Sequence, residues 1–261
     1  MPERIEMKQK KIEFKNSKGQ NLIGIMHMPE TKTDKIAIYV HGYKSSKESQ
    51  KAISLGKILP EKGIILFRID LSGRGESDGK FEDTTVTQYI DDLKCAIDFL
   101  ENNGYQNIGV IGNSLGGLVS LQEVSKDNRV KCLALLSPVP KFPYKGRRNE
   151  FSDENIAKWK KQGWIYTHSQ KYGKMKINYN YLEDLSQYND LSVYDNIKIP
   201  VLLMHGTKDE AISIDGVKEL AKHLKNLEFI ILEGSDHDYT ISKKQYDKVM
   251  NETARFLGEN L

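Results

Sequence analysis

Hydrophobic residues along this chain fall into short, almost unbroken runs: KIAIYV at 35–40, GIILFRI at 63–69, NIGVIG at 107–112, VKCLALL at 130–136, IPVLLMH at 199–205 and LEFIIL at 227–232. A strand with one wet face alternates apolar and polar residues, so runs this continuous predict strands covered on both faces, as in a parallel sheet. Between them, apolar positions recur at helical spacing near 48–59, 85–102, 115–126, 215–225 and 242–258. Strand and helix in alternation predict an α/β fold with a mostly parallel, doubly wound sheet. Ahead of the first run, 10–15 and 21–28 predict an antiparallel pair turned at Lys18-Gly19.

One interval breaks the rhythm. After Ser137-Pro138 no further sheet strand is predicted until Ile199. The interval opens with prolines at 138, 140 and 143. Ser152-Asp153-Glu154 then has the composition of a helix N-terminus, and Gly163 is a stop signal after Gln162. WIYTH and MKINYNY follow as two short strands around Lys171-Tyr172-Gly173, a hairpin. A structureless loop of that length is uncommon in a compact domain. Residues 138–198 are therefore expected to form an inserted cap, helix plus β-hairpin, on a core domain made of 1–137 and 199–261.

Composition narrows the function classes. With 39 basic and 36 acidic residues among 261, the net charge is only +3, and the lysines are spread along the chain. That describes a solvated surface rather than a nucleic-acid footprint. Cys95 and Cys132 sit in apolar patterns and read as buried free thiols; no Cys/His cluster suggests a metal site. The N-terminal MPERIEMKQKKIEF has no apolar stretch of signal-peptide type, and no run is long enough to span a bilayer. The expectation is a cytoplasmic protein, monomer or homodimer, with a small-molecule substrate and with no membrane, nucleic-acid, metal or cofactor partner.

The candidate chemistry centres on IGVIGNSLGG at 108–117, where a β-branched run gives way to helical spacing with Ser114 between glycines. Gly-x-Ser-x-Gly alone occurs by chance in roughly one chain in ten of this length. An alcohol is a poor nucleophile at neutral pH, so Ser114 needs a base within hydrogen-bond reach and an acid to orient that base. In a parallel sheet these groups come from loops after the carboxyl ends of strands. His41 and His205 end strands, His27 lies in the early hairpin, His168 in the insertion and His223 on a surface helix. His237, in EGSDHDY after the final strand, is the base by position, set against a plain solvent-exposed loop histidine. Asp209, in TKDE after IPVLLMHG, is the acid, set against an Asx-turn role. It is chosen over Glu210 because its shorter side chain is better held.

The order Ser114, Asp209, His237, each after a strand, resembles that of the α/β-hydrolase superfamily across essentially the whole length. The stretch DLSGRGESDGKF at 70–81 resembles the Asp-x-x-Gly-x-Gly-x-Ser block of serine-aminopeptidase-like and monoacylglycerol-lipase-like hydrolases. The following segment and the helix-plus-hairpin cap most resemble bacterial cinnamoyl (feruloyl) esterases. The resemblance implies a cofactor-free carboxylic ester hydrolase working through an acyl-enzyme. It implies an oxyanion hole from the N–H groups of Leu115 and of Tyr43, in the HGYKSS loop, with His41, Asp70 and Ser77 bracing the loops. Asn113 and Arg74 stand where the family usually carries histidine. A peptidase, thioesterase or monoacylglycerol lipase would use the same residues, and a hydrolase-fold ligand receptor is the alternative from another class. In the cap, alternation along WIYTH and MKINYNY puts Trp164 with Tyr166, and Tyr179 with Tyr181, on single strand faces. Trp164 and Tyr179, with Tyr43, are the expected substrate-binding rings, set against the cap rings forming the insertion's own small core and Tyr43 packing on the cap; Tyr144, Tyr172 and Tyr188 add to the aromatic content.

Overall fold

The computed structural model describes residues 8–142, 151–169 and 171–261. Pro143 and Tyr144, named above, lie outside them. An eight-stranded sheet runs through the core in the spatial order β1 (Gln9–Lys15), β2 (Asn21–His27), β4 (Ile65–Ile69), β3 (Lys35–Val40), β5 (Asn107–Asn113), β6 (Val130–Leu136), β9 (Val201–Gly206), β10 (Leu227–Leu232). The first two strands pair antiparallel, β2 joins β4 antiparallel, and the remaining pairs are parallel. Gly19, at φ 77°, makes the turn between β1 and β2.

The continuous apolar runs of the inner strands are explained by helices on both faces. Along β3, Ile36, Ile38 and Val40 pack into one cluster with residues of α2 (Val86–Asn102), α3 (Leu115–Val124) and α6 (Ile214–Ala221). Ala37 and Tyr39 pack into the other with α1 (Gln50–Glu61) and α7 (Lys243–Asn260). Successive side chains of a strand point to opposite faces, so every position on a strand covered twice must be apolar. The helix starts are capped: Ser49, Thr85 and Ser213 each accept a hydrogen bond from a backbone N–H of the following turn.

The insertion contains α4 (Asp153–Gln162), β7 (Trp164–Ser169), β8 (Gly173–Asn178) and α5 (Asn180–Leu185). Ser152 caps α4, and Gly163, left-handed at φ 79°, ends it as expected. β7 and β8 form an antiparallel pair separate from the main sheet. The reading of MKINYNY as one strand needs correction. β8 stops at Asn178, where the next N–H, that of Tyr179, bonds back to the Gly163 carbonyl at 2.7 Å, and the chain then turns into α5. Tyr181 is therefore on a helix. With Trp159, Leu182 and Leu185 it is buried in the same core cluster that holds α2 and α3.

Candidate active site

Ser114 stands where β5 gives way to α3, with φ 55° and ψ −116°. A non-glycine residue held there stores about 1–3 kcal/mol of strain. The sharp turn requires its glycines. A Cβ on Gly112 would lie 2.7 Å from the Gly116 carbonyl oxygen, and one on Gly116 would lie 2.2 Å from that of Val40. The Ser114 N–H donates to Leu136 O at 2.9 Å, and its carbonyl accepts from Gly117 and Val139 at 2.9 and 3.0 Å. Both backbone groups are thus engaged, and the side chain faces a cavity of about 530 Å³.

His237 Nε2 lies 3.0 Å from Ser114 Oγ, and its Nδ1 lies 2.6 Å from Asp209 Oδ2. The Asp209 side chain is fully buried, and its Oδ1 accepts from the N–H groups of Ala211 and Ile212, each at 2.8 Å. The tight turn after β9 therefore fixes the carboxylate and leaves Oδ2 for the ring. With a carboxylate at Nδ1, the imidazole carries its proton there and offers the Nε2 lone pair to the serine hydroxyl. Buried His205, whose pKa burial pushes down, holds this turn by donating from Nε2 to the Ile212 carbonyl at 3.1 Å.

The loop carrying His237 is braced by residues that sequence reasoning missed. Ser137 Oγ lies 3.0 Å from the His237 carbonyl and 2.8 Å from the Tyr239 hydroxyl, and that hydroxyl donates to Met204 O at 2.9 Å. Ser137 and Tyr239 have φ of 45° and 63°. Gly206 lets the two loops touch: a Cβ there would sit 2.3 Å from the Ser235 carbonyl oxygen. The non-glycine residues with positive φ among the described ones are Lys44, Ser114, Ser137 and Tyr239, and all four belong to this site. A serine directly after a central strand and a tyrosine two past the loop histidine were the visible signals.

Leu115 is the first residue of α3, so its N–H has no acceptor one turn back and lies at the positive end of the helix dipole. Tyr43, in the loop after β3, lines the cavity with Gly42. His41 ties that loop down: Nδ1 donates to Gly42 O at 2.9 Å and Nε2 accepts from the Leu71 N–H at 3.2 Å. Burial pushes its pKa down to about 4, so the ring that makes both bonds is neutral. Beneath it, fully buried Asp70 accepts from the Lys47 N–H, the Lys47 Nζ and the Glu76 N–H at 2.7, 2.6 and 2.9 Å. Ser77 Oγ donates to the Asp70 carbonyl at 2.7 Å. Arg74 donates to the Ser45 carbonyl at 2.8 Å and sits over the rings of Phe81 and Tyr172. Asn113 lines the cavity, and its buried Oδ1 has no hydrogen-bond partner.

The cap rings are placed differently from the expectation. Trp164 lines a separate cavity of about 240 Å³ with Asn155, Lys158 and Gln162, and packs its edge against Tyr166. Tyr179 packs its edge against Trp159. Tyr43 instead stacks on Tyr181 with ring centres 5.3 Å apart, and Tyr181 stacks on Trp159. Strand alternation identifies faces but not what each face meets, and here Tyr179 and Tyr181 both meet Trp159 of α4. Of the three rings singled out, Tyr43 is the one lining the cavity beside Ser114.

Among known proteins, the sequence model of the serine aminopeptidase (S33) hydrolases matches residues 31–191, a stretch that includes Tyr43, Ser114 and Leu115 and ends before Asp209 and His237. The mitochondrial palmitoyl-protein thioesterase ABHD10 of Bos taurus is 27% identical over 211 residues, 77% of this chain but only 66% of that protein. The AB hydrolase superfamily protein YisY of Bacillus subtilis is 25% identical over 72% of this chain and 80% of its own. The structure of Est1E from Butyrivibrio proteoclasticus with bound ferulic acid superposes with a TM-score of 0.81 at 25% identity, covering 95% of this chain and 98% of that one. Among the described residues, no helix is long and apolar enough to cross a membrane.

Proposed function

The chain belongs to the serine aminopeptidase (S33) family of α/β-hydrolases, and from that premise we propose that it is a serine hydrolase of carboxylic esters or thioesters. The observation that carries the reading is the unbroken chain Asp209 Oδ2, His237, Ser114 Oγ, at 2.6 and 3.0 Å, ending on a strained turn beside an open cavity. Ser114 Oγ attacks the carbonyl carbon as its proton passes to His237 Nε2. The N–H groups of Leu115 and Tyr43 stabilise the oxyanion. When the carbonyl re-forms, the bond to the leaving oxygen or sulfur breaks, and His237 gives that atom its proton. Water, deprotonated by His237, then attacks the acyl-enzyme and returns Ser114. Asp209 keeps the imidazole in the required tautomer and stabilises its charged form.

Two narrower readings have specific support. A thioester substrate is favoured by the likeness to proteins named as palmitoyl-protein thioesterases. An aromatic acyl group is favoured by the likeness to Est1E with ferulic acid bound and by the Tyr43 ring on the cavity wall. Matched acetyl and feruloyl esters, each with an oxygen and a sulfur leaving atom, separate the two by kcat/KM. A ligand receptor on this fold would release about one product per protein and stop.

The test of the class is Ser114→Ala. Turnover of a chromogenic ester should fall to a residue about 10³–10⁴ above water, left by the oxyanion hole and binding. A fluorophosphonate should label the parent protein at Ser114 and leave the variant unlabelled. Near-parental turnover by the variant would overturn the serine mechanism.

A further inference from the structure

We propose that Arg74 is a positioning residue that ties the cap hairpin to the turn carrying Tyr43, so that docking of the cap sets the oxyanion hole. The proposal rests on the reading, in the preceding subsection, of the Tyr43 N–H as an oxyanion donor. Residues 42–45 form a tight turn around Tyr43: the Ser45 N–H donates to the Gly42 carbonyl at 3.2 Å, with Lys44 left-handed at φ 58°. The 70–77 loop anchors this segment on both sides. The Leu71 N–H donates to His41 Nε2 at 3.2 Å, and Asp70 Oδ1 accepts from the Lys47 N–H at 2.7 Å. Between these anchors, Arg74 Nε donates to the Ser45 carbonyl at 2.8 Å.

The backbone of the 70–77 loop aims this side chain. The Arg74 N–H donates to the Leu71 carbonyl at 3.0 Å, and the Arg74 carbonyl accepts from the Ser77 N–H at 2.9 Å. Gly73 and Gly75 flank it at φ 69° and 53°, and a Cβ on Gly75 would lie 1.9 Å from Asp70 Oδ2. The guanidinium is buried. It lies 4.9 and 4.4 Å from the centres of the Phe81 and Tyr172 rings, and its Nη1 is 3.8 Å from Met175 Sδ. Its Nη2 has no hydrogen-bond partner among the described residues. Burying a charge in such surroundings is costly, and the ring faces offset only part of the cost. What the arrangement gains is position, because a planar, stacked guanidinium fixes where the Ser45 carbonyl can lie. Tyr172 and Met175 belong to the β7–β8 hairpin. The same hairpin grips the residues on either side of Ser45: Lys44 Nζ donates to Thr167 Oγ1 at 2.8 Å, and Lys171 Nζ to Ser46 Oγ at 3.3 Å. The cap therefore bears on the turn beside Ser114 as well as on the cavity above it.

The test measures kcat and KM on a chromogenic ester, and Ki for a trifluoromethyl ketone with the same acyl chain, in Arg74→Met, Tyr172→Leu and the double variant. Ser114 Oγ adds to the ketone carbon, its proton passes to His237, and the ketone oxygen becomes an oxyanion, so Ki reports on the hole itself. Displacing a catalytic group by about an ångström lowers kcat on the order of a hundredfold. With the turn still anchored at His41 and Lys47, Arg74→Met should lower kcat about 30–100-fold and leave KM within about threefold. Ki should rise in parallel with KM/kcat. Tyr172→Leu should lower kcat about fivefold in the parent but less than about twofold in Arg74→Met, because its effect passes through the arginine. A kcat in Arg74→Met within about threefold of the parent, or a loss carried wholly by KM, overturns the proposal and leaves the serine mechanism intact. So does full multiplication of the two losses in the double variant. If Arg74→Met does not fold, Tyr172→Leu decides: Ki rising with KM/kcat at constant KM supports the proposal, and unchanged Ki with a lowered Tm overturns it. A parent protein that turns over the ester but is not inhibited by the ketone overturns the oxyanion reading beneath the proposal, and no turnover at all overturns the esterase reading.

Discussion

Asp209→Asn isolates the orienting step, because the structure dictates which way the new amide must face. Asp209 Oδ1 accepts two backbone N–H bonds, from Ala211 and Ile212, while Oδ2 meets His237 Nδ1. An asparagine that keeps those two acceptor bonds presents its NH₂ to Nδ1. Nδ1 must then become an acceptor, the ring proton moves to Nε2, and the ring cannot take the proton of Ser114. The opposite rotamer restores the useful tautomer but turns the NH₂ onto two buried N–H groups. Leaving a buried donor unsatisfied costs about 1–3 kcal/mol each, so the productive arrangement lies roughly 4 kcal/mol above the unproductive one. At about 1.4 kcal/mol per factor of ten, kcat should drop about a thousandfold, or somewhat more since the charge that stabilises the imidazolium is also gone. The assay is kcat on a chromogenic ester beside the rate of fluorophosphonate labelling at Ser114, with thermal unfolding to show that the fold persists. Glu210→Gln is the paired control and should leave kcat within about twofold. Asp209→Asn within tenfold of the parent, or a larger loss in Glu210→Gln, would refute the assignment of the acid.

Gly206→Ala should misplace His237 without touching it. The added Cβ would sit 2.3 Å from the Ser235 carbonyl oxygen and 2.9 Å from that of Asp236, so the loop must retreat on the order of an ångström. Misplacement of that size lowers kcat about a hundredfold, and unchanged kcat would show that the loop has slack. Acid stability should follow two buried histidines, His27 and His41, whose pKa values burial pushes down to about 4. The unfolded chain binds protons at these sites from pH 6.5 downward and the folded one does not, so Tm should fall between pH 6.5 and 4. A flat Tm across that window would contradict their burial as neutral rings. Glu123 works in the opposite direction. Burial raises its pKa to about 7, so its cost appears as pH rises from about 4.5 to 7. Glu123→Gln should raise Tm at pH 8 and leave it nearly unchanged at pH 4; an equal gain at both would assign the effect to packing.

Local chemistry was legible wherever one segment decides it. Continuous runs became strands over Lys35–Val40 and Ile65–Ile69 because helices cover both faces, whereas Leu227–Leu232, at the sheet edge, leaves Ile231 exposed despite an equally apolar run. Ser152 and Gly163 bounded α4 because capping and left-handed backbone are properties of single residues. Ser114, Asp209 and His237 were found by position after strands, and the fold brings the three side chains together. What stayed hidden depends on partners distant in sequence. MKINYNY alternates well enough for one long strand, but its end is set by the bond from Tyr179 to the Gly163 carbonyl. The facing of Trp164 is set by α4. Neither signal is present in the strand itself.

The same distinction separates the reaction from its substrate. A serine turn, a loop histidine and a buried carboxylate are each built by a few adjacent residues, which the main sheet then aligns through the shared direction of β5, β9 and β10. The cavity wall is assembled from the loop after β3, α1, the β7–β8 hairpin, the His237 loop and α7. The wall brings Lys171 of the insertion to Lys44 and Lys51, about 120 residues earlier in the chain, and in the sequence all three look like ordinary surface lysines. Aromatic enrichment in the insertion suggested a pocket for rings, yet Trp159, Tyr179 and Tyr181 engage one another. With Trp159, Tyr179 and Tyr181 packed together, the ring left on the cavity wall beside Ser114, of those singled out in the sequence, is Tyr43.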